Sequence, residues 1–134
     1  MHSNRKRYIF IFIGVAIIIV FLCCFFREKS INSFVDMDHI TRVCVLNGNN
    51  GEIFEVATKD GLDKIEEYMN NIKFRKTIRL ILYGGFSYYF DFYNKEEHIA
   101  RITFGDKVSV DNTEYTISDY NEISLDELVN SIRK

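Results

Sequence analysis

The sequence predicts an α+β fold: an N-terminal transmembrane helix followed by an antiparallel β-sheet of about six to seven strands, with two helices packed on one face of the sheet. Three observations predict it. Residues 8–26, YIFIFIGVAIIIVFLCCFF, carry no charge. Beyond them, several segments alternate apolar and polar residues with the period of two that a half-buried strand requires. Two others, within 60–72 and 124–134, repeat apolar residues at the three- and four-residue spacing of one helical face.

The apolar segment comes first in the chain and decides where the rest sits. Nineteen residues at a helical rise of about 1.5 Å span roughly 28 Å, the thickness of a bilayer's hydrocarbon core. A cleaved signal peptide would be shorter and would end at a small-x-small site, whereas this run ends in CCFFREKS. Lipid modification of Cys23 or Cys24 would call for small residues where VFL stands. An uncleaved anchor is therefore expected over 8–26. Arg5, Lys6 and Arg7 precede it without an acid, while Glu28 accompanies Arg27 and Lys29 after it. Positive charge stays on the cytoplasmic side, so residues 1–7 form a cytoplasmic tail of a single-pass cell-membrane protein, and the C-terminal part lies outside.

Charge narrows the partners of that outer part. Residues 28–134 contain 13 Lys and Arg against 19 Asp and Glu, and the net charge of the whole chain, −2, owes its near-balance to the basic leader. Affinity for nucleic acid depends on neutralising phosphates with cations, so nucleic acid is excluded as an expected partner. Cys44 is the one cysteine outside the apolar run, so the outer part has no internal disulfide. In RVCVL it reads as a small buried hydrophobe.

Residues 27–37 show no period and read as a stalk, with the folded domain covering 38–134. In HITRVCVLN (39–47), Ile40, Val43 and Val45 are apolar members of a strand. GNNG (48–51) then turns the chain into EIFEVATK (52–59), a hairpin. In DGLDKIEEYMNNI (60–72), Leu62, Ile65, Met69 and Ile72 make one apolar stripe, with Asp60 as the expected cap. KFRKTIRLIL (73–82) returns to the period of two. YGGFSYYFDFY (83–93) follows, with Phe86, Tyr88, Phe90 and Phe92 on one face, and HIARITF (98–104) places Ala100, Ile102 and Phe104 against Ile99, Arg101 and Thr103. KVSV (107–110), a turn at Asp111-Asn112 and EYTIS (114–118) form another hairpin. In the closing SLDELVNSIRK (124–134), Ser124 and Glu127 match a capping box ahead of an apolar stripe of Leu125, Leu128, Val129 and Ile132.

Register follows from keeping charge out of the core, because a slip of one residue exchanges the two faces of a strand. A two-residue turn at Gly84-Gly85 would set Arg79 opposite Phe90. A connection over 84–86 instead aligns Leu82 with Tyr88, Leu80 with Phe90 and Ile78 with Phe92, and sets Arg79 against Asp91. Across the next hairpin, with its loop at 94–98, Phe92 opposes Ala100, Phe90 opposes Ile102 and Asp91 opposes Arg101. Arg79, Asp91 and Arg101 would then form a row on the outer face of the sheet.

No set of residues converges at the spacing that catalysis requires. His2, His39 and His98 are scattered, and the adjacent pairs Glu66-Glu67 and Glu96-Glu97 point in diverging directions. GNNGE lacks the spaced acids of a calcium loop. The sequence thus points to a protein that is not an enzyme, with no catalytic residues, metal or cofactor. The candidate binding face is the outer side of the sheet: Arg79, Tyr89, Asp91, Tyr93 and Arg101, with Ile81 and Ile99 around them, a mixture of rings and charge common at interfaces.

The stretches ITRVCVLNGNNGEIFEVATKDGLDKIEEYMNNI and YYFDFYNKEEHIARITFGDKVSVDNTEYTI, behind a basic leader and one apolar span, resemble small bacterial membrane-anchored, lipoprotein-like extracytoplasmic domains of unknown function. The missing lipobox departs from the lipoprotein members, and the resemblance implies no activity. The expected partners are the lipid bilayer through residues 8–26 and another envelope protein or component at the sheet face. The alternative is an inhibitor or immunity-type protective protein that uses the acids between Asp111 and Glu127, a stretch without a cation, to occlude a basic partner.

Overall fold

The computed structural model of the chain describes residues 2–77, 85–118 and 122–133. Along them run α1 (His2–Phe25), β1 (Arg42–Asn47), β2 (Ile53–Val56), α2 (Lys59–Asn70), β3 (Lys73–Lys76), β4 (Phe86–Asn94), β5 (Glu97–Gly105), β6 (Val108–Val110), β7 (Thr113–Ser118) and α3 (Glu122–Ile132). The strands form one antiparallel sheet in the order β2-β1-β4-β5-β6-β7-β3. The α+β class read from the sequence is the class found. Arg5–Phe25 of α1, 21 residues none of which is buried, is long and apolar enough to cross a membrane.

Alternation places the core on one face of the sheet. Val43 and Val45 of β1, Tyr88, Phe90 and Phe92 of β4, and Ala100, Ile102 and Phe104 of β5 are all buried there. Ile65 and Met69 of α2 and Leu125, Leu128, Val129 and Ile132 of α3 complete the same cluster, and they are the stripe residues that the helical spacing selects. Removing each of the large side chains from water contributes about 1.5–3 kcal/mol. Both hairpins flanking this core form where turn chemistry calls for them, with Asn47 and Asn50 side chains accepting from Asn49 and Glu52 backbone N–H groups at 2.9 Å in the first.

The helix starts differ from expectation by small amounts. Thr58 caps α2, accepting from the Gly61 N–H at 3.3 Å, while Asp60 sits in the first turn and binds Lys64 at 2.7 Å. Helix α3 begins at Glu122, so Ser124 lies inside it and is not its cap. The α2 cap thus lies two residues before the expected one, and α3 starts three residues before Leu125, the first position that a cap at Ser124 would allow.

The larger correction concerns β3. It does not form a hairpin with β4; it pairs with β7 at the far edge of the sheet, Phe74 opposite Ile117. The edge of β4 assigned to it is taken by β1, with Val43 opposite Phe92, Val45 opposite Phe90 and Cys44 opposite Asp91. Both edges of β4 are thereby taken by β1 and β5, whereas the expected partners Leu82, Leu80 and Ile78 of Tyr88, Phe90 and Phe92, and Arg79 of Asp91, fall on residues that are not described. The valines of β1 satisfy the same core face as the expected partner strand, so alternation alone could not choose between them. Residues 78–84, Arg79 and Ile81 among them, lie outside the described residues. The β4–β5 register is as expected: Phe92 opposes Ala100, Asp91 opposes Arg101 and Phe90 opposes Ile102.

Two irregularities in that hairpin move side chains across the sheet. Between Phe86 and Tyr88 the register slips, so Phe86, expected in the core, is instead more than a third exposed and stacks on Tyr89 with ring centroids 3.9 Å apart. A bulge of this kind inserts one residue and reverses the facing of what lies beyond it. The chain passes so close here that a Cβ on Gly105 would lie 2.3 Å from the Gly85 carbonyl oxygen, and one on Gly48 2.5 Å from that of Phe86. A second slip after Phe92 pairs Tyr93 with His98, and the turn tightens to Lys95-Glu96, with Lys95 at a φ of 54°.

The segment before β1, expected as a stalk over 27–37, is packed against the domain. Ile31, Val35 and Met37 are buried in the core, and Lys29 exchanges two 2.8 Å backbone hydrogen bonds with Phe74 of β3. Phe34 meets Phe74 and Tyr115 edge-on at 5.3 and 5.2 Å. Apolar residues at 31, 34, 35 and 37 follow the 3₁₀ turns at Ile31–Ser33 and Met37–His39, a period too irregular to register as an element.

Candidate interaction face

The side of the sheet away from the helices carries the polar members of the alternation. Across its middle the residues Glu55, Cys44, Asp91 and Arg101 stand in one row, on β2, β1, β4 and β5. Asp91 is the centre of the row. Its side chain is only 12% exposed, yet both oxygens are engaged: Arg101 donates Nε to Oδ1 at 2.7 Å and Nη2 to Oδ2 at 2.8 Å, and His98 Nε2 lies 3.1 Å from Oδ1. Burial pushes the Asp91 carboxyl upward, but the hydrogen bonds of Arg101 and His98 outweigh it and hold the group below the usual carboxylate range. The same bond raises the Arg101 guanidinium further. A charged fork of this geometry fixes both partners in place.

Two cation–ring contacts flank the fork. The Arg101 guanidinium carbon is 5.0 Å from the Tyr89 ring, which stacks on Phe86 in turn. On the other side, Arg42 lies 4.2 Å from the Tyr93 ring, binds Glu55 at 2.9 Å and reaches Glu96 at 3.7 Å, while its Nε donates to the Lys95 carbonyl at 3.2 Å. Tyr93 meets the His98 ring edge-on at 5.2 Å. Planar cations over tyrosines are held by the ring quadrupole, a term that grows as water is removed.

Of the face expected from the sequence, the structure brings together Tyr89, Asp91, Tyr93 and Arg101. Arg79 lies outside the described residues. Ile99 packs against the edge of the core cluster. Four residues were not foreseen: Arg42, Glu55, His98 and Phe86. Arg42 and Glu55 enter because β1 lies beside β4, a long-range choice that no local pattern encodes. His98 and Phe86 enter through the two register slips, which invert the strict parity that assigned them elsewhere.

Burial, followed by the neighbouring charges of Asp91 and Glu55, pushes the Cys44 thiol up, which keeps it protonated and a poor nucleophile. Among the described residues, no three His, Cys, Asp or Glu side chains converge to hold a metal ion. The acids after Asp111 are partly committed within the fold: Asp111 accepts from the Arg101 N–H at 2.8 Å, Glu114 pairs with Lys107 at 3.2 Å and Asp126 accepts from the Tyr88 hydroxyl at 2.6 Å. Compared with protein-family models, curated proteins and solved structures, the chain finds no match.

Proposed function

We propose that this is a single-pass, membrane-anchored protein of a bacterial envelope whose C-terminal domain, outside the membrane, binds another envelope protein or component through the outer face of its sheet. The observation that carries the reading is the fixed array Phe86–Tyr89–Arg101–Asp91–His98–Tyr93–Arg42, in which rings and guanidinium planes are already held by their neighbours. Preorganised aromatic and arginine side chains lose little entropy on association and dominate interface energetics where they occur. The reading assigns the domain binding rather than catalysis. An acid-based inhibitory role draws less support, since Asp111, Glu114 and Asp126 already serve internal bonds.

The test is photo-crosslinking in the native membrane from a benzophenone amino acid placed at Tyr89 or Tyr93. A discrete adduct from these sites, absent when the probe stands at exposed Asn70 on α2, is the expected result. Absence of any adduct from the sheet face, with the domain folded, overturns the reading.

A further inference from the structure

Where α1 meets the domain, the chain assembles a cleft of about 280 Å³ that the outer sheet face does not share. Phe21, Cys24 and Phe25 of the last helical turns form its apolar wall, and Lys29, whose ammonium is 5.7 Å from the Phe34 ring, and Lys76 complete its lining. The Lys76 ammonium lies 4.3 Å from the centroid of the Phe25 ring. The antiparallel bridge between Lys29 and Phe74 brings β3 back along the chain leaving the helix, so that Arg75 reaches Glu28 at 2.8 Å and Lys76 arrives beside the helix end. Among the described residues, Arg75 is the one cation of Arg27, Lys29, Arg75 and Lys76 that has an ion-pair partner. In a domain whose acids outnumber its cations by 19 to 13 from residue 28 onward, a group of cations of which three have no ion-pair partner among the described residues runs against the overall balance.

We propose that this cleft is a binding site for an anionic phospholipid, with the lipid phosphate between Lys29 and Lys76 and the upper acyl chain against Phe21 and Phe25. The inference rests on the reading of α1 as a membrane anchor. If α1 spans the bilayer, its C-terminal turn lies at the headgroup level, and the side chains described stand where phosphate and glycerol are found. Ammonium groups at that level would attract a phosphate of the outer leaflet, and the apolar rings would meet its acyl chain. The bridge at Lys29 ties β3, itself held in the sheet by β7, to the chain that leaves α1.

The test uses the full chain, purified in mild detergent and mixed with equal amounts of phosphatidylglycerol and phosphatidylcholine, with bound lipid read by native mass spectrometry. Roughly tenfold greater retention of phosphatidylglycerol is expected, falling as salt is raised. Lys29→Gln/Lys76→Gln is expected to lose the preference, Lys29→Arg/Lys76→Arg to keep it, and Lys95→Gln, at the distant β4–β5 turn, to behave as the parent. Equal retention of the two lipids by the parent, or an unchanged preference in the glutamine variant, overturns the proposal. Alkaline carbonate extraction of native membranes separates the two levels: release of the protein overturns the anchor and the lipid site together, whereas retention with no lipid preference overturns the site alone.

Discussion

Asp91 and Arg101 face each other across β4 and β5 and close a two-bond fork at 2.7 and 2.8 Å, on the sheet face away from the helices. The pair specifies register as much as it adds stability, because a one-residue slip of either strand would send a charge into the phenylalanine core. A double-mutant cycle with Asp91→Ala and Arg101→Ala, measured by urea unfolding of the full chain in micelles, is expected to give a coupling of about 1 kcal/mol. A coupling indistinguishable from zero would mean that the fork is incidental.

The depressed Asp91 carboxyl implies a pH dependence with a definite sign. A carboxylate whose folded-state value is lowered contributes stability that is present above the ordinary value of about 3.9 and disappears as pH falls through the folded value. The stability advantage of the parent over Asp91→Asn is therefore expected to be larger at pH 6 than at pH 3. Parallel unfolding curves for the two proteins across that range supply the check.

Gly105 is held against the backbone of Gly85 and Phe86. Gly105→Ala is expected to lower stability by about 1–3 kcal/mol, and Phe86→Ala is expected not to restore it, since the atoms in the way belong to the main chain. Restoration by Phe86→Ala would place the conflict in the ring instead.

Ile31 is fully buried although it precedes the first strand by eleven positions. Ile31→Ala is expected to cost about 2–4 kcal/mol, against a few tenths for the exposed neighbour Ser33→Ala. Thermal unfolding of the two variants discriminates a packed segment from a passive spacer, which would show neither loss.

Much of this fold is legible in the sequence because its signals are local. The apolar run of α1, the stripes Ile65–Met69 and Leu125–Val129, the turn at Asp111-Asn112 and the Asp91–Arg101 register all follow from spacing between neighbours in the chain. What could not be read is which strand lies beside which. Val43 and Val45 compete with Ile78, Leu80 and Leu82 for one edge of β4, and both sets are apolar on the required parity. The outer face followed suit: Tyr89, Asp91, Tyr93 and Arg101 were recoverable from alternation, whereas Arg42 and Glu55 depend on that edge choice, and Phe86 and His98 on slips of one residue that alternation treats as errors.

The pairing of β3 with β7 sets the order in which a newly made chain can close. Phe74 is made well before its partner Ile117, and the two can meet only when the polypeptide is nearly finished. On the proposed reading of α1 as an anchor, the unfinished sheet would until then stand at the membrane surface with its nearest edge incomplete. Of the two ladders that wait for β7, the one with β3 lies beside the end of α1, and a factor that escorts the nascent protein would find that edge open until β7 is made.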